Sequence, residues 1–177
     1  MIRQLVILIF VYFMIPVSPN FSKALELSVQ EKEIKYNHNS ITIPEIKQNV
    51  HFNVIVPKNV PDDWTLEIKT YPWGAKTKFT HFRLHYMDKN DEKMMVSIKQ
   101  IKGSMKRTEE NNQNAKSVSI NGYSGNQIKW GNDGEVDSKG EIVTGGILQW
   151  TQEGTYIEMY SSRIPMENML EIARSMK

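Results

Sequence analysis

The stretch Ile147–Lys177 limits the possible folds more than any other part of the chain, because it contains two strand patterns followed by a helix pattern. Leu148 and Trp150 share one face of the first strand, and a Glu153-Gly154 turn signal precedes a second alternating run. Apolar residues then recur at helical spacing, namely Met169, Ile172, Ala173 and Met176. A hairpin and a helix each have one apolar side, and we expect each to bury it against the other.

Three further runs upstream alternate apolar and polar side chains, as strands with one wet face do. Their apolar residues are Leu66 and Ile68, then Phe82, Leu84 and Tyr86, then Met94, Val96 and Ile98. Turn signals at 88–91 and at Asn121-Gly122 predict hairpins, and residues 102–116 and 131–146 have the composition of long loops. We therefore predict an α+β fold for residues 42–177, in which a curved antiparallel sheet of about six or more strands packs against the C-terminal helix.

A short N-terminal helix is predicted at the start of this domain. Thr42 is a suitable N-cap, Glu45 completes a capping box, and Pro44 is tolerated in the first turn. The helix should end near Val50, and residues 25–41 before it are expected to be a spacer or an edge strand.

The first residues have the pattern of a secretory signal peptide. Arg3 precedes the charge-free run Leu5–Val17, and Ser22 and Ala24 are small residues at the positions that matter for cleavage. Residues 1–24 are expected to be removed after Ala24, with an uncleaved signal anchor as the alternative. The thirteen residues of the run are fewer than the roughly 20 that cross the hydrocarbon core as a helix. The protein is thus expected to be secreted or extracytoplasmic, with membrane contact only if residues 5–17 are retained.

Charge and cysteine content restrict the possible partners. Loss of the leader removes Arg3 and Lys23 from the 22 basic residues, which leaves 20 against 20 acidic residues. Nucleic-acid binding is not expected, because its affinity depends on an excess of cations that neutralise phosphates. Since the chain has no cysteine, disulfides, thiolate metal sites and a lipobox lipid anchor are also excluded.

The segment 52–64 ends in a rigid corner and resembles a known family. Phe52, Val54 and Val56 alternate as in a strand, and two prolines four residues apart then prevent its continuation. With Val60 and Trp64 they resemble the opening block of domain of unknown function 4367. The closing block of that family is similar to Leu148, Trp150, Gly154, Tyr156, Tyr160 and Ile172-Ala173-Arg174-Ser175. The resemblance implies an exported or membrane-tethered protein of Gram-positive spore-formers, and it brings no assigned activity or catalytic residue.

One strand carries the polar residues His81, Arg83 and His85 on a single face. A metal site would need a third ligand, and the two imidazoles are separated by four strand residues, about 13 Å. We therefore predict no metal at this position. The alternatives are a solvated polar face or, through Arg83, contact with an anionic partner.

Three other groups of residues are candidate sites. Tyr123, Trp130 and Trp150 could stack a sugar or line an apolar groove, although aromatic residues in strands are typical of a core. The acidic loop 132–141 has spaced oxygen donors but does not have the glycine and glutamate positions of a calcium loop. The segment 122–125 does not have the spacing of a nucleophile elbow.

These observations favour a non-catalytic extracytoplasmic module that binds a protein partner at the cell envelope, without a cofactor. The first alternative is an apolar ligand held between sheet and helix, which requires an apolar cavity of roughly 300 Å³ or more. The second is a cell-wall or peptide hydrolase, for which only His81, His85, Asp133 and Glu135 qualify as catalytic candidates. The candidate binding residues are His81, Arg83, His85, Tyr123 and Trp130.

Overall fold

The structure is a computed structural model that describes residues 33–37, 39–104, 115–130, 136, 140 and 143–177. The predicted leader, residues 1–24, lies outside the described residues, as do Asp133 and Glu135 of the acidic loop. Residues 32–177 form one compact unit.

The described residues form two helices and seven strands. In chain order they are α1 (Ile43–Asn49), β1 (Thr65–Tyr71), β2 (His81–Met87), β3 (Met94–Lys102), β4 (Ala115–Ile120), β5 (Tyr123–Lys129), β6 (Gly146–Gln152), β7 (Thr155–Ser161) and α2 (Met166–Arg174). The strands make one open sheet in the order β1-β2-β3-β7-β6-β5-β4, and all neighbours are antiparallel. The predicted α+β fold is confirmed. Neither helix in this part of the chain is both long and apolar enough to cross a membrane.

One face of the sheet, called the core face below, is covered by the helices. Its fully buried side chains include Phe82, Leu84, Ile98, Leu148, Trp150, Ile157 and Met159, and α2 adds Met169 and Ala173. Gly125 makes room for the largest of them, because a Cβ at that position would lie 2.9 Å from the Cβ of Trp150. The predicted burial of Leu148 and Trp150 beneath the C-terminal helix is therefore confirmed.

The hairpin turns adopt the backbone that their sequences predict. Asn121 and Gly122 both have positive φ, as do Glu153 and Gly154, which is the conformation that matches the twist of a two-residue hairpin. The capping box at α1 is also formed, since Glu45 Oε2 accepts hydrogen bonds from the backbone N–H (2.8 Å) and hydroxyl (2.6 Å) of Thr42. Local turn and cap chemistry thus agrees with the global fold.

The strand predicted at residues 52–56 is wrong, because this segment pairs with none of the strands that the structure describes. The buried side chain of Gln100 takes that role: its Oε1 accepts from Ile55 N–H at 3.0 Å, and its Nε2 donates to the Ile55 carbonyl. The hydroxyl of Thr155 donates to the Asn53 carbonyl at 2.8 Å. Side chains therefore satisfy a backbone that crosses the core face, and Ile55 is its most buried apolar residue.

The loop predicted over 102–116 is shorter than expected, since β3 includes Lys102 and β4 begins at Ala115.

At the edge of the sheet formed by β1, residues near Tyr36 lie along this strand. Leu66 N–H donates to the Lys35 carbonyl, and Asn37 N–H donates to the Leu66 carbonyl.

Candidate functional site

The face of the sheet opposite the helices, called the outer face below, carries the candidate site. Strand β2 alternates strictly, with Phe82, Leu84 and Tyr86 on the core face and the three polar candidates His81, Arg83 and His85 on the outer face. All three polar side chains are half-buried. The prediction that they share one face is confirmed.

A row of three cations crosses this face. Arg83 lies directly opposite Lys69 of β1 and directly opposite Lys99 of β3. Neighbouring strands are about 4.8 Å apart, so three like charges occupy adjacent positions. We call Lys69, Arg83 and Lys99 the cation row.

The members of the cation row differ in their partners. Lys69 forms an ion pair with Glu67 on its own strand. Arg83 and Lys99 have no hydrogen-bond or ion-pair partner among the described residues. Glu158 of β7 lies opposite Lys99 in register, but its Oε2 instead accepts hydrogen bonds from Gln149 Nε2 at 3.0 Å and Tyr156 OH at 3.4 Å. Two half-buried cations thus remain available to a ligand.

His81 lies on one side of the row and stacks on Tyr71. Their ring centroids are 4.5 Å apart and the rings are 2° from parallel. The pKa of His81 is lowered from the usual histidine value by burial and then by Lys99 and Arg83.

His85 lies on the other side, with Nδ1 3.9 Å from Glu67 Oε2. Burial is the main cause that lowers the pKa of His85; Lys69 and Arg83 act in the same direction, and Glu67 opposes them. Both imidazoles are therefore mainly neutral at neutral pH.

The buried hydroxyl of Ser97 adds a further donor to this region. Ser97 lies between His85 and Tyr160 in the cross-strand register and is 3% exposed. Its Oγ has no hydrogen-bond partner among the described residues. A buried hydroxyl without a partner is uncommon in folded proteins, and it adds donor capacity beside His85.

The two aromatic candidates lie apart from each other. Trp130 packs edge-on against Tyr160, with ring centroids 5.0 Å apart, and Tyr160 shares a row with Ser97 on the outer face. Tyr123 instead packs against the hydrophobic core. The structure therefore brings His81, Arg83, His85 and Trp130 to one face and separates Tyr123 from them.

The residues suggested for metal binding and for catalysis can be located only in the part of the chain that the structure describes. It contains no group of three or more His, Cys, Asp or Glu residues placed to hold a metal ion. Of the four residues suggested for a hydrolase, His81 and His85 flank Arg83 on a strand, and Asp133 and Glu135 lie outside the described residues.

A pocket of about 370 Å³ lies between the proline corner and α2. Its apolar wall includes Trp64, Ile164 and Ile172, and its polar residues include Asn59, Asp62, Asn168 and Glu171. It is not a cavity between the sheet and the helix, where side chains such as Trp150 and Met159 are fully buried.

Sequence reasoning missed most of the basic character of this region. The run Lys69–Met87 contains four Lys or Arg residues and no Asp or Glu, which is a signal that could have been read directly. Lys99 could not have been added without the strand register, because it is distant from Arg83 along the chain.

A comparison with models of protein families found a match for this domain. A family model described as Domain of unknown function (DUF4367) matches residues 54–176, a range that includes all seven described strands and α2. A search of curated proteins and a search of solved structures found no match. The matched range begins beside Ile55, at the segment that Gln100 holds, and ends at Met176, just beyond α2. Since the model covers more than half of the chain, the chain belongs to the family of domain of unknown function 4367.

Proposed function

We propose that this protein is a non-catalytic binding module of the cell envelope whose outer sheet face binds an anionic partner. The observation that carries the proposal is the cation row. Arg83 lies opposite two lysines, and like charges directly opposite each other destabilise a sheet.

The cost of the row supports a binding role. Half-buried charges are less screened than exposed ones; neither Arg83 nor Lys99 forms an ion pair among the described residues, and Glu158, which lies opposite Lys99, is held by Gln149 and Tyr156. A locally unfavourable arrangement that persists in a consistent fold is expected at a functional position. An anion bound across the row would convert its repulsion into attraction.

The chemistry of the side chains fits a phosphate- or carboxylate-bearing partner. The guanidinium of Arg83 presents donors in a fork that matches either group. His81 and His85 lie on the same strand on either side of it, and each can donate one hydrogen bond while neutral. The face can therefore offer several donors without a metal.

The envelope location rests on the leader pattern in residues 1–24, where Arg3 precedes a charge-free run and small residues end the segment. Export would bring the outer face into contact with the anionic components of an envelope. The alternative of an apolar ligand between sheet and helix has less support, because Trp150, Met159 and Met169 fill that interface and are fully buried.

Calorimetric titration with two soluble polyanions, polyphosphate and polyglutamate, tests the proposal. The double variant R83Q/K99Q should bind at least about tenfold more weakly, since each removes a charge-assisted hydrogen bond. The matched variant K58Q/K116Q changes two exposed lysines outside the row and should bind as the unmodified chain does. Equal loss in both variants, or none in either, would contradict a site at the cation row.

A further inference from the structure

A tryptophan stands exposed beside the cation row. Trp73 is 74% exposed, more than the other large apolar residues that the structure shows at the surface, Ile34 at 37% and Val136 at 56%. It lies in the connection between β1 and β2, residues 72–80, which we call the Trp73 loop. Exposure of an indole costs hydrophobic free energy unless the ring has a partner.

The Trp73 loop is held in place at both of its ends. Phe79 is buried and its N–H donates to the Asn49 carbonyl at the end of α1 at 3.0 Å. Thr80 N–H donates to the Tyr71 carbonyl at 2.9 Å, which closes the loop. The exposed indole therefore projects from an anchored base.

The side chain of Trp73 lies beside the outer face. Lys69 Nζ lies 5.8 Å from the centroid of the indole, and the ring of Tyr71 lies 6.5 Å from it. Both Lys69 and Tyr71 are outer-face residues of β1, opposite Arg83 and His81. The indole and the cation row thus belong to one continuous surface.

The loop adds positive charge to that surface. Lys76 and Lys78 are both exposed, and the loop contains no Asp or Glu. An exposed indole together with lysines and an arginine is the combination that anchors proteins at the interface of an anionic bilayer.

We infer that the anionic partner of the outer face is a phospholipid surface, into which Trp73 inserts at the headgroup level while Lys76, Lys78 and the cation row contact the phosphates. This inference rests on the proposed function and specifies its partner. A soluble polyanion would use the cations but has no need of the exposed indole, whose ring is apolar and whose N–H is a hydrogen-bond donor. The contact is separate from the leader, so it holds the domain at a membrane whether or not residues 1–24 are retained.

Co-sedimentation of the full chain with vesicles tests the inference. Vesicles of phosphatidylcholine with phosphatidylglycerol are compared with vesicles of phosphatidylcholine alone. Loss of the charges in K76A/K78A should weaken binding to the anionic vesicles by about fivefold per lysine, and W73A should weaken it by about tenfold. The control K58A/K116A removes two exposed lysines elsewhere and should bind as the unmodified chain does.

Quenching of tryptophan fluorescence by brominated phospholipids gives a second measurement, whose signal does not come from the leader. The leader contains no tryptophan, so the difference in quenched emission between the unmodified chain and W73A belongs to Trp73. Strong quenching of that difference on anionic vesicles supports insertion of the indole. An unquenched Trp73 overturns the inference, even if the leader holds the chain on the vesicles.

The outcomes also separate this inference from the proposed function. If R83Q/K99Q weakens polyphosphate binding while Trp73 stays unquenched, the face binds a soluble anion and the lipid assignment is wrong. If R83Q/K99Q changes neither polyphosphate nor vesicle binding, both proposals are wrong.

Discussion

The two faces of the sheet follow opposite rules. On the core face, directly opposed residues complement each other, as Leu84 does with Ile68 and with Ile98. On the outer face, Arg83 is opposed on both sides by a lysine. The same strands β1, β2 and β3 present both arrangements, so the difference cannot be attributed to separate parts of the fold.

This contrast indicates that stability depends mainly on the core face. The core face buries apolar surface and satisfies a buried polar group, Gln100, with two hydrogen bonds to Ile55. The outer face leaves Arg83, Lys99 and the hydroxyl of Ser97 without partners among the described residues, and on the core face Gln127 Oε1, opposite Leu148, is buried without one as well. A change on the core face should therefore alter the free energy of unfolding, and a change on the outer face should alter binding.

The largest expected effect comes from a pair of tryptophans. Trp150→Ala on the core face should lower the free energy of unfolding by about 3–5 kcal/mol, because it leaves a large cavity. Trp73→Ala, at a residue that is 74% exposed, should change it by less than about 0.5 kcal/mol. Urea denaturation followed by circular dichroism measures both. Similar losses in the two variants would remove the distinction between the faces.

The second-largest effect is a difference in the free energy of unfolding between variants at two neighbouring positions of β3. Gln100→Leu should lower the free energy of unfolding by about 1–3 kcal/mol, because the N–H and C=O of Ile55 would stay buried without a partner. Lys99→Gln, one residue away on the outer face, should leave it nearly unchanged and should weaken polyphosphate binding. Denaturation and calorimetry on the same two variants check the prediction, and a stable Gln100→Leu protein would contradict it.

The third effect is a dependence on pH. Burial, with Lys99 and Arg83, lowers the pKa of His81, and burial is also the main cause of the lowered pKa of His85. As pH falls below the ordinary histidine value of 6.5, protonation of these residues adds charge beside the cation row. Polyphosphate affinity should then rise severalfold, since a bound anion favours the imidazolium form.

The same titration should act on stability with the opposite sign. The folded state binds protons less readily than the unfolded state does, so the contribution of the two histidines is fully present above pH 6.5 and is lost as pH falls through the lowered values. The double variant H81N/H85N should flatten both profiles. A binding profile that stays as steep in that variant would assign the pH dependence to other groups.

The smallest effect concerns the cation row itself. Arg83→Glu places an acid opposite both Lys69 and Lys99 and should stabilise the sheet by about 0.2–1 kcal/mol, while polyphosphate binding falls. Thermal unfolding and calorimetry together measure this trade. Lys116→Glu on β4, outside the row, serves as the control and should leave anion binding unchanged. A loss of stability in Arg83→Glu would mean that the row is not repulsive.

Much of the fold followed from local patterns. The alternation around Phe82 and Leu148 identified β2 and β6, and the Glu153-Gly154 signal identified the turn between β6 and β7. These predictions succeeded because side-chain period and turn conformation are set within a few residues.

The predictions that failed depend on contacts between residues that are far apart in the sequence. The segment around Ile55 has the alternation of a strand, but its hydrogen-bond partner is the side chain of Gln100, which no local pattern reveals. The candidate site shows the same limit. Arg83 could be recognised on its own strand, whereas the repulsive row required the pairing of β2 with both neighbours.

The backbone bridge between Pro57 and Met176 has a consequence for protein engineering. It joins positions near the two ends of the family-matched range, 54–176, and Lys177 N–H donates to the Val56 carbonyl beside it. The start of the family-matched range and the residues just after α2 therefore lie side by side. Residues 33–50 precede this closure but belong to the same unit, because Ile43 and Ile46 of α1 are buried in its core; a segment transferred into a host protein must therefore begin before α1.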